Sequence, residues 1–265
     1  MLTRNTMTTC EKAAPNAVAQ FLAEYTTMLY NCGATCIRME RTVGRIAMAL
    51  GVKADMTLLP RHINLSVSNS DGSGVCNLTT PAGNGAVSFA VNTRLSRLSW
   101  RMADGTMTLE QAQNELKRIG ASKGTDKWAL LMLVPCANAS FCRLFGGDMV
   151  AMCVVAIATL AGYLVKLQCT EHHVDARLMA IMASFVSTVI AASDSLFGLG
   201  GTPETAIGTG VLYLVPGIGF INSFCDMLQQ HYICSLTRLA NALIFTCCMS
   251  VGLGAGMLVM NQNMF

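Results

Sequence analysis

Apolar residues near the start of the chain recur at the 3.6-residue spacing of a helix, and the spacing then switches to two. Val18, Phe21, Leu22, Tyr25 and Leu29 share one face of a helix over residues 17–31. Met39, Val43, Ile46, Ala47 and Leu50 do the same over 35–50, with Gly51 placed to stop that helix. His62-Ile63-Asn64-Leu65-Ser66-Val67-Ser68 alternates strictly, and Asn69-Ser70-Asp71-Gly72 is a turn signal before Val75-Cys76-Asn77-Leu78-Thr79. That pattern predicts a hairpin with one buried face. A third strand is predicted around Val87, Phe89 and Val91, and a helix over 93–103. Asp104-Gly105 reads as a turn, and Thr108-Leu109-Glu110-Gln111 as a capping box that opens a helix to Ile119.

Beyond residue 127 the period gives way to long apolar runs. Five segments near 128–145, 149–168, 177–197, 204–224 and 236–260 approach the length of a spanning helix, about 20 residues. The windows 149–165, 178–193, 205–225 and 239–265 hold no charged residue. The fourth segment breaks at Pro216-Gly217-Ile218-Gly219 and resumes with Asn222 and Asp226. A broken helix at membrane depth leaves unpaired backbone groups, which bilayers tolerate only where they line a cavity or are buried in protein. The fold expected is therefore a membrane α-helical protein of five transmembrane helices, the fourth broken at Pro-Gly, carrying an N-terminal soluble α+β domain.

Charge sharpens the division. Residues 1–127 contain 14 Lys/Arg and 9 Asp/Glu, whereas 128–265 contain 4 and 6. Overall only 12% of residues are charged and 52% are apolar, against about 25% charged in an average soluble domain. The step places a boundary near Lys127, giving a cytoplasmic α+β domain over 1–127 and a five-span domain over 128–265. Lys127, Lys166, Arg177 and Arg238 fall on one side of alternating spans and Arg143 on the other. The positive-inside rule then predicts a cytoplasmic N-terminal domain and an external C-terminus. Residues 1–16 show no apolar leader segment.

The twelve cysteines read as reduced, structural thiols. Cys32 and Cys36 are four apart but lack further ligands at zinc spacing, so no metal is expected. Glu171-His172-His173 with Asp175 reads as a solvated loop. Gly252 and Gly256 give the small-residue spacing of a helix-packing face. No P-loop and no Ser/His/Asp set can be assembled in the first half, and no cofactor or nucleic-acid partner is expected.

Candidate chemistry lies among the few ionisable residues of the apolar half. A charge at the bilayer centre costs about 2.5–3.5 kcal/mol on insertion scales, so such groups usually face a cavity. Asp194 lies late in the third span and is either functional or interfacial; Asp226 follows the broken span. Arg238 opens the fifth, as a partner of Asp226, an anion clamp or a positive-inside anchor.

Two stretches resemble the threonine/serine exporter family of membrane proteins, in its N-terminal five-span half. One is Gly33-Ala34-Thr35-Cys36-Ile37-Arg38-Met39-Glu40, continuing to Ala49-Leu50-Gly51-Val52. The other is Leu214-Val215-Pro216-Gly217-Ile218-Gly219-Phe220-Ile221-Asn222, then Asp226 and Arg238. The order of elements agrees from about residue 17 to 258. Asn241 stands where the family often has Glu, and Gly219 where Pro is usual.

The resemblance implies a secondary exporter subunit for a small polar metabolite, with an amino acid such as threonine or serine placed first and a dicarboxylate such as succinate second. Pro216, Gly217, Gly219, Asn222, Asp226, Arg238 and Asp194 are its candidate substrate residues. Gly33, Arg38, Glu40 and Gly51 mark the motif of the cytoplasmic domain. Because a second five-span half is missing, a separate small membrane protein is the implied partner, in the cell's inner membrane; homo-oligomers remain compatible. A regulatory or sensor subunit without transport activity is the reading from another class, and a membrane-anchored enzyme a further one.

Overall fold

The computed structural model describes residues 15–260 apart from positions 84, 86, 123, 125 and 199. The N-terminal stretch in which no leader is expected lies outside the described residues up to position 14, as do the last five positions of the uncharged C-terminal window. By their internal contacts the residues form two units. One runs up to Ser122 and takes in Asn222–Thr237; the other holds the rest.

In the first unit, helix α1 (Pro15–Asn31) buries Val18, Phe21, Leu22, Tyr25 and Leu29, the face its spacing predicts. Helix α2 (Cys36–Ala49) buries Met39, Val43, Ile46 and Ala47. It ends on Gly51, whose φ of +68° places it in the left-handed region where a residue with a side chain is strained. Three antiparallel strands follow in the order β1 (Val52–Leu58), β2 (His62–Asn69) and β3 (Cys76–Pro81). Leu65 is the register point, opposite Met56 on one side and Leu78 on the other. Ile63, Leu65 and Val67 point into the core and His62 and Asn64 do not, as the alternation requires.

The third strand is where the expectation fails. Val87, Phe89 and Val91 form no strand; helix α3 (Phe89–Ala103) starts there, with Ser88 accepting a hydrogen bond from the amide of Val91. The sheet's third member is β1 instead. Its Val52, Ala54, Met56 and Leu58 alternate with Lys53, Asp55 and Thr57, a period-two pattern hidden directly behind the helix-stopping Gly51. Helix α4 (Leu109–Ala121) opens on the predicted capping box, with Thr108 and Gln111 exchanging side-chain and backbone hydrogen bonds.

The second unit is helical: α5 (Lys127–Leu144), α6 (Met149–Glu171), α7 (Ala176–Phe197) and α8 (Pro203–Gly210), then a 3-10 turn (Leu212–Leu214). Helices α9 (Gly217–Leu228) and α10 (Tyr232–Val259) each have residues in both units. Three helices, α6, α7 and α10, are long and apolar enough to cross a membrane. Pro203–Leu214 and Gly217–Leu228 make a fourth candidate as one span bent by 63°. The break follows from Pro216, which lacks an amide hydrogen and drives Val215 to an extended ψ of 125°. Among the described residues the structure thus supports a helical membrane unit with three or four such helices, while the expectation of five counted α5 as well. Helix α5 is not among them, because Lys127, Pro135, Asn138 and Arg143 interrupt its 18 residues.

The helical unit is patterned opposite to a soluble bundle. Helix α6 exposes Met149, Ile157 and Leu164 while burying Ala158, Thr159 and Gly162. Helix α7 exposes Leu178 and Met182 while burying Ala183, Ser184, Ser187 and Thr188. Large aliphatic groups outside and small or hydroxylated ones inside is the arrangement lipid favours, since lipid tails offer apolar side chains no reason to hide. Gly252 and Gly256 let α10 lie against α7: a Cβ at Gly252 would collide with Ser184 Oγ and the Ile181 carbonyl, and one at Gly256 would sit 2.9 Å from Thr188. The small-residue spacing is a packing face, as read.

Candidate functional site

Polar side chains converge inside the helical unit. Asn138 of α5 is buried and donates to Thr159 Oγ1 at 2.6 Å and to the Thr209 carbonyl at 2.9 Å. Ser187 of α7 donates to the Ala158 carbonyl at 3.1 Å and shares a hydrogen bond of 3.1 Å with the Tyr213 hydroxyl. Gly162 makes this possible, because a Cβ there would occupy the place of both Ser187 Oγ and Tyr213 OH. The ring of Tyr213 meets that of Tyr163 edge-on, with centroids 6.4 Å apart. None of these residues was singled out from the sequence. The available signal was weak: lone polar residues at helical spacing inside apolar runs.

At one end of these helices Asp148 caps α6. Its Oδ1 accepts from the amide of Ala151 at 2.7 Å and its Oδ2 from that of Gly201 at 2.6 Å. These two bonds hold its carboxyl below the usual carboxylate range. Asp194, in the last turn of α7, is fully buried. The remaining sequence-predicted groups of this unit lie at the break before α9, in its first turn and on α10. Pro216 is the break itself and Gly217 opens α9. Gly219 lies where a Cβ would touch that of Ala242 at 3.4 Å. Arg238 is half-buried on α10.

Asn222 and Asp226 belong to the other unit and meet the first motif there. Asp226 is fully buried; its Oδ1 accepts from the backbone amide of Cys36 at 2.9 Å, and its Oδ2 from the Cys36 thiol at 3.4 Å. Asn222 Nδ2 donates to the Gly33 carbonyl at 2.9 Å. The reason lies at the start of α2. Thr35 stands at the N-cap position without a side-chain cap bond, so the amide of the first turn needs an acceptor from elsewhere. A carboxylate suits it, because the helix N-terminus carries partial positive charge. Gly33, at φ +84° and with the Val87 side chain 2.9 Å from any added Cβ, shapes the turn before it.

Further contacts fix the same segment. Ser223 and Ser235 each donate to the other's carbonyl, at 2.8 and 2.7 Å. Cys234 lies in the core of the α+β unit and its thiol meets the Leu58 carbonyl at 3.3 Å. Glu40 lies 3.5 Å from His231 Nε2. Arg38 is exposed and lines a cleft of about 270 Å³ with Arg41, Arg45 and Trp100. Burial pushes the Cys32 thiol up. The residues around His172 serve helix ends: Glu171 pairs with Lys127 at 2.9 Å and Asp175 accepts from the amide of Arg177. The described cysteines are free thiols.

Comparison with known proteins follows the same outline. The family described as "Putative threonine/serine exporter" matches residues 20–260. A protein of Klebsiella aerogenes named "Probable succinate transporter subunit YjjP" is 22% identical over 243 residues, covering 91% of this chain and 93% of that one. Its namesake in Escherichia coli K12 is 28% identical over 129 residues, 48% of this chain and 50% of that one. No solved structure matches. A family match over nearly the whole length, on helices that bury hydroxyls and expose aliphatic side chains, makes this chain an integral membrane transport protein, not an enzyme, of the threonine/serine exporter family.

Proposed function

We propose that the chain is one subunit of a split secondary exporter for a small metabolite bearing a carboxylate. The observation that carries this reading is the row of buried Asn138, Thr159 and Ser187, continued by the partly buried Tyr213, within helices whose outer surface is apolar. Polar groups are costly at membrane depth and are found where they serve a pathway. The α9 N-terminus at Gly217, opened by Pro216 and kept slim by Gly219, offers positively polarised amides to a carboxylate. Arg238 adds a cation, and Asp194 a carboxylate, to the same unit.

Asn222 and Asp226 are held by Gly33 and Cys36 in this structure. They enter the proposal as candidate substrate groups on the strength of the motif that contains them. The second subunit is a small membrane protein supplying the remaining spans, as the word "subunit" in the relatives' names suggests. The Lys/Arg distribution supports an inner-membrane orientation with the α+β unit cytoplasmic and the C-terminus outside.

Substrate class divides the reading. A zwitterionic amino acid needs one anion site and one cation site, and the family's description supports it. A dicarboxylate needs two anion sites, and the names of both relatives support it. A regulatory role has one observation in its favour. A cleft of about 480 Å³ in the α+β unit is lined by Arg94, Arg97, Arg101 and Arg118 with Glu115, which pairs with Arg118 and leaves a net positive setting for a small anion.

The test is efflux of preloaded labelled threonine and succinate from vesicles that contain the full chain, with and without the small membrane partner. Efflux of one substrate only when both proteins are present is expected. Efflux of neither, with both proteins inserted, overturns the export reading.

A further inference from the structure

We propose that Asp194 and Asp148 form a binding site for a small monovalent cation at one end of the helical unit. Asp194 is 0% exposed, and among the described residues neither of its carboxylate oxygens has a hydrogen-bond partner. A buried carboxylate left without donors is among the most costly groups a fold can hold, and the usual remedy is a positive charge at its side. No described Lys, Arg or His pairs with it.

The geometry shows where that charge belongs. A Cβ placed on Gly200 would lie 3.1 Å from Asp194 Oδ1 and 3.1 Å from Asp148 Oδ2. The two carboxylates therefore flank one small space beside a residue that has no side chain to fill it. Asp148 is fixed there by the amides of Ala151 and Gly201, and each oxygen keeps a second lone pair for a ligand. Its own amide donates to Thr202 Oγ1 at 3.0 Å, which ties the same loop down. Asp194 lies in the C-terminal turn of α7, the negatively polarised end of a helix, which also favours a cation. Oxygen donors of this kind suit a hard cation, Na+ or a proton alike.

The other charged groups on neighbouring elements are few. Helix α5 brings Arg143, which donates to the Gly147 carbonyl at 3.2 Å. Helix α8 brings Glu204 in its first turn. Helix α10 contributes Met257, and Met260 follows it; both pack against the cluster of Ala158, Ala191, Ala192 and Ile207 and carry no charge.

The site stands on the structure of the helical unit alone; that its cation drives transport rests on the export reading above. The experiment is the melting temperature of the purified full-length protein in detergent. It is measured in NaCl against N-methyl-D-glucamine chloride, and in acidic against alkaline buffer without Na+. Wild type is expected to be stabilised by one of these cations, and Asp194→Asn to lose that response while melting no lower. Gly200→Ala, which fills the space but keeps both carboxylates, is expected to raise the half-saturating cation concentration at least about tenfold. It also serves if Asp194→Asn does not fold. A response to Na+ identifies a sodium site, and a response to acid alone a proton site. A wild type indifferent to both, or variants that respond as wild type does, overturns the proposal. Because neither substrate nor partner takes part, cation binding without efflux would sink the export reading and leave the site standing.

Discussion

The carboxylate of Asp226 caps the helix that begins at Cys36, across 190 residues of chain, with the Cys36 amide 2.9 Å from Oδ1. Helix α2 thus takes its N-terminal acceptor from the second motif and not from Thr35 beside it. Replacing a cap residue by Ala costs about 0.5–2 kcal/mol, and hydrogen bonds to charged groups are worth about 1.5–3. Asp226→Ala is expected to destabilise the purified protein by about 2 kcal/mol, and Asp226→Asn by less, since an amide oxygen still accepts from Cys36. Melting temperatures of the two variants in detergent check the order.

Asn222 holds the carbonyl of Gly33, three residues before Cys36, from one helical turn earlier on α9. The two anchors fix the two ends of one tight turn, so their losses should not add. Asn222→Ala is expected to cost about 1 kcal/mol alone. The Asn222→Ala, Asp226→Ala pair should show a coupling of at least about 0.5 kcal/mol in a double-mutant cycle. Strict additivity would mean that the two contacts act independently.

Local physics was readable in the chain and distant pairing was not. The buried face of α1, the capping box at Thr108 and the break at Pro216 each follow from residues within a few positions of one another. β1 was hidden because its alternation starts directly after Gly51, where only the helix stop was read. Phe89 and Val91 looked like a strand until Ser88 supplied a helix cap. Helix α5 carries the apolar run of a span but also Pro135, Asn138 and Arg143, which lower its mean hydropathy. The meeting of Asp226 with Cys36 and the facing of Asp148 with Asp194 depend on tertiary structure, and no spacing along the chain encodes them. Asp194 itself was legible as an ionisable residue in an apolar run; that its carboxylate has no hydrogen-bond partner among the described residues was not.

The Gly252–Gly256 face separates close packing from simple helix propensity within five residues. A methyl group at Gly252 would strike Ser184 and the Ile181 carbonyl, whereas at Gly254 nothing lies within 4 Å. Gly252→Ala is expected to destabilise by about 1–3 kcal/mol through overpacking. Gly254→Ala should be neutral or mildly stabilising, because Ala favours a helix by about 1 kcal/mol over Gly. Thermal melts of the two single variants in the same detergent decide it; equal losses would remove the α7–α10 contact from the account.

Asn138 is the polar hub of the helical unit, since one amide group serves both Thr159 and Thr209. Side-chain hydrogen bonds within membranes contribute about 0.6 kcal/mol on average and up to about 1.7. Asn138→Leu is expected to cost about 1–3 kcal/mol in stability and to reduce efflux in the vesicle assay, whereas Asn138→Gln should recover part of both. Full efflux in Asn138→Leu would exclude this row from the pathway.

Tyr25 gives the α+β unit a pH limit at the alkaline end. Its ring is fully buried and its hydroxyl donates to the Leu95 carbonyl at 3.0 Å. Burial raises its pKa from 10.0 to about 12. The fold therefore favours the protonated phenol, and the stability this gives is fully present below the unfolded value of about 10 and lost as pH rises through about 12. A shift of that size corresponds to an order of 2–3 kcal/mol. Wild type should lose stability steadily between pH 10 and 12, and Tyr25→Phe should lose less over the same range while starting about 1 kcal/mol lower for want of the Leu95 bond. Denaturant melts of both proteins across that range provide the measurement. Parallel curves would show that the Tyr25 phenol ionises as freely in the fold as in the unfolded chain.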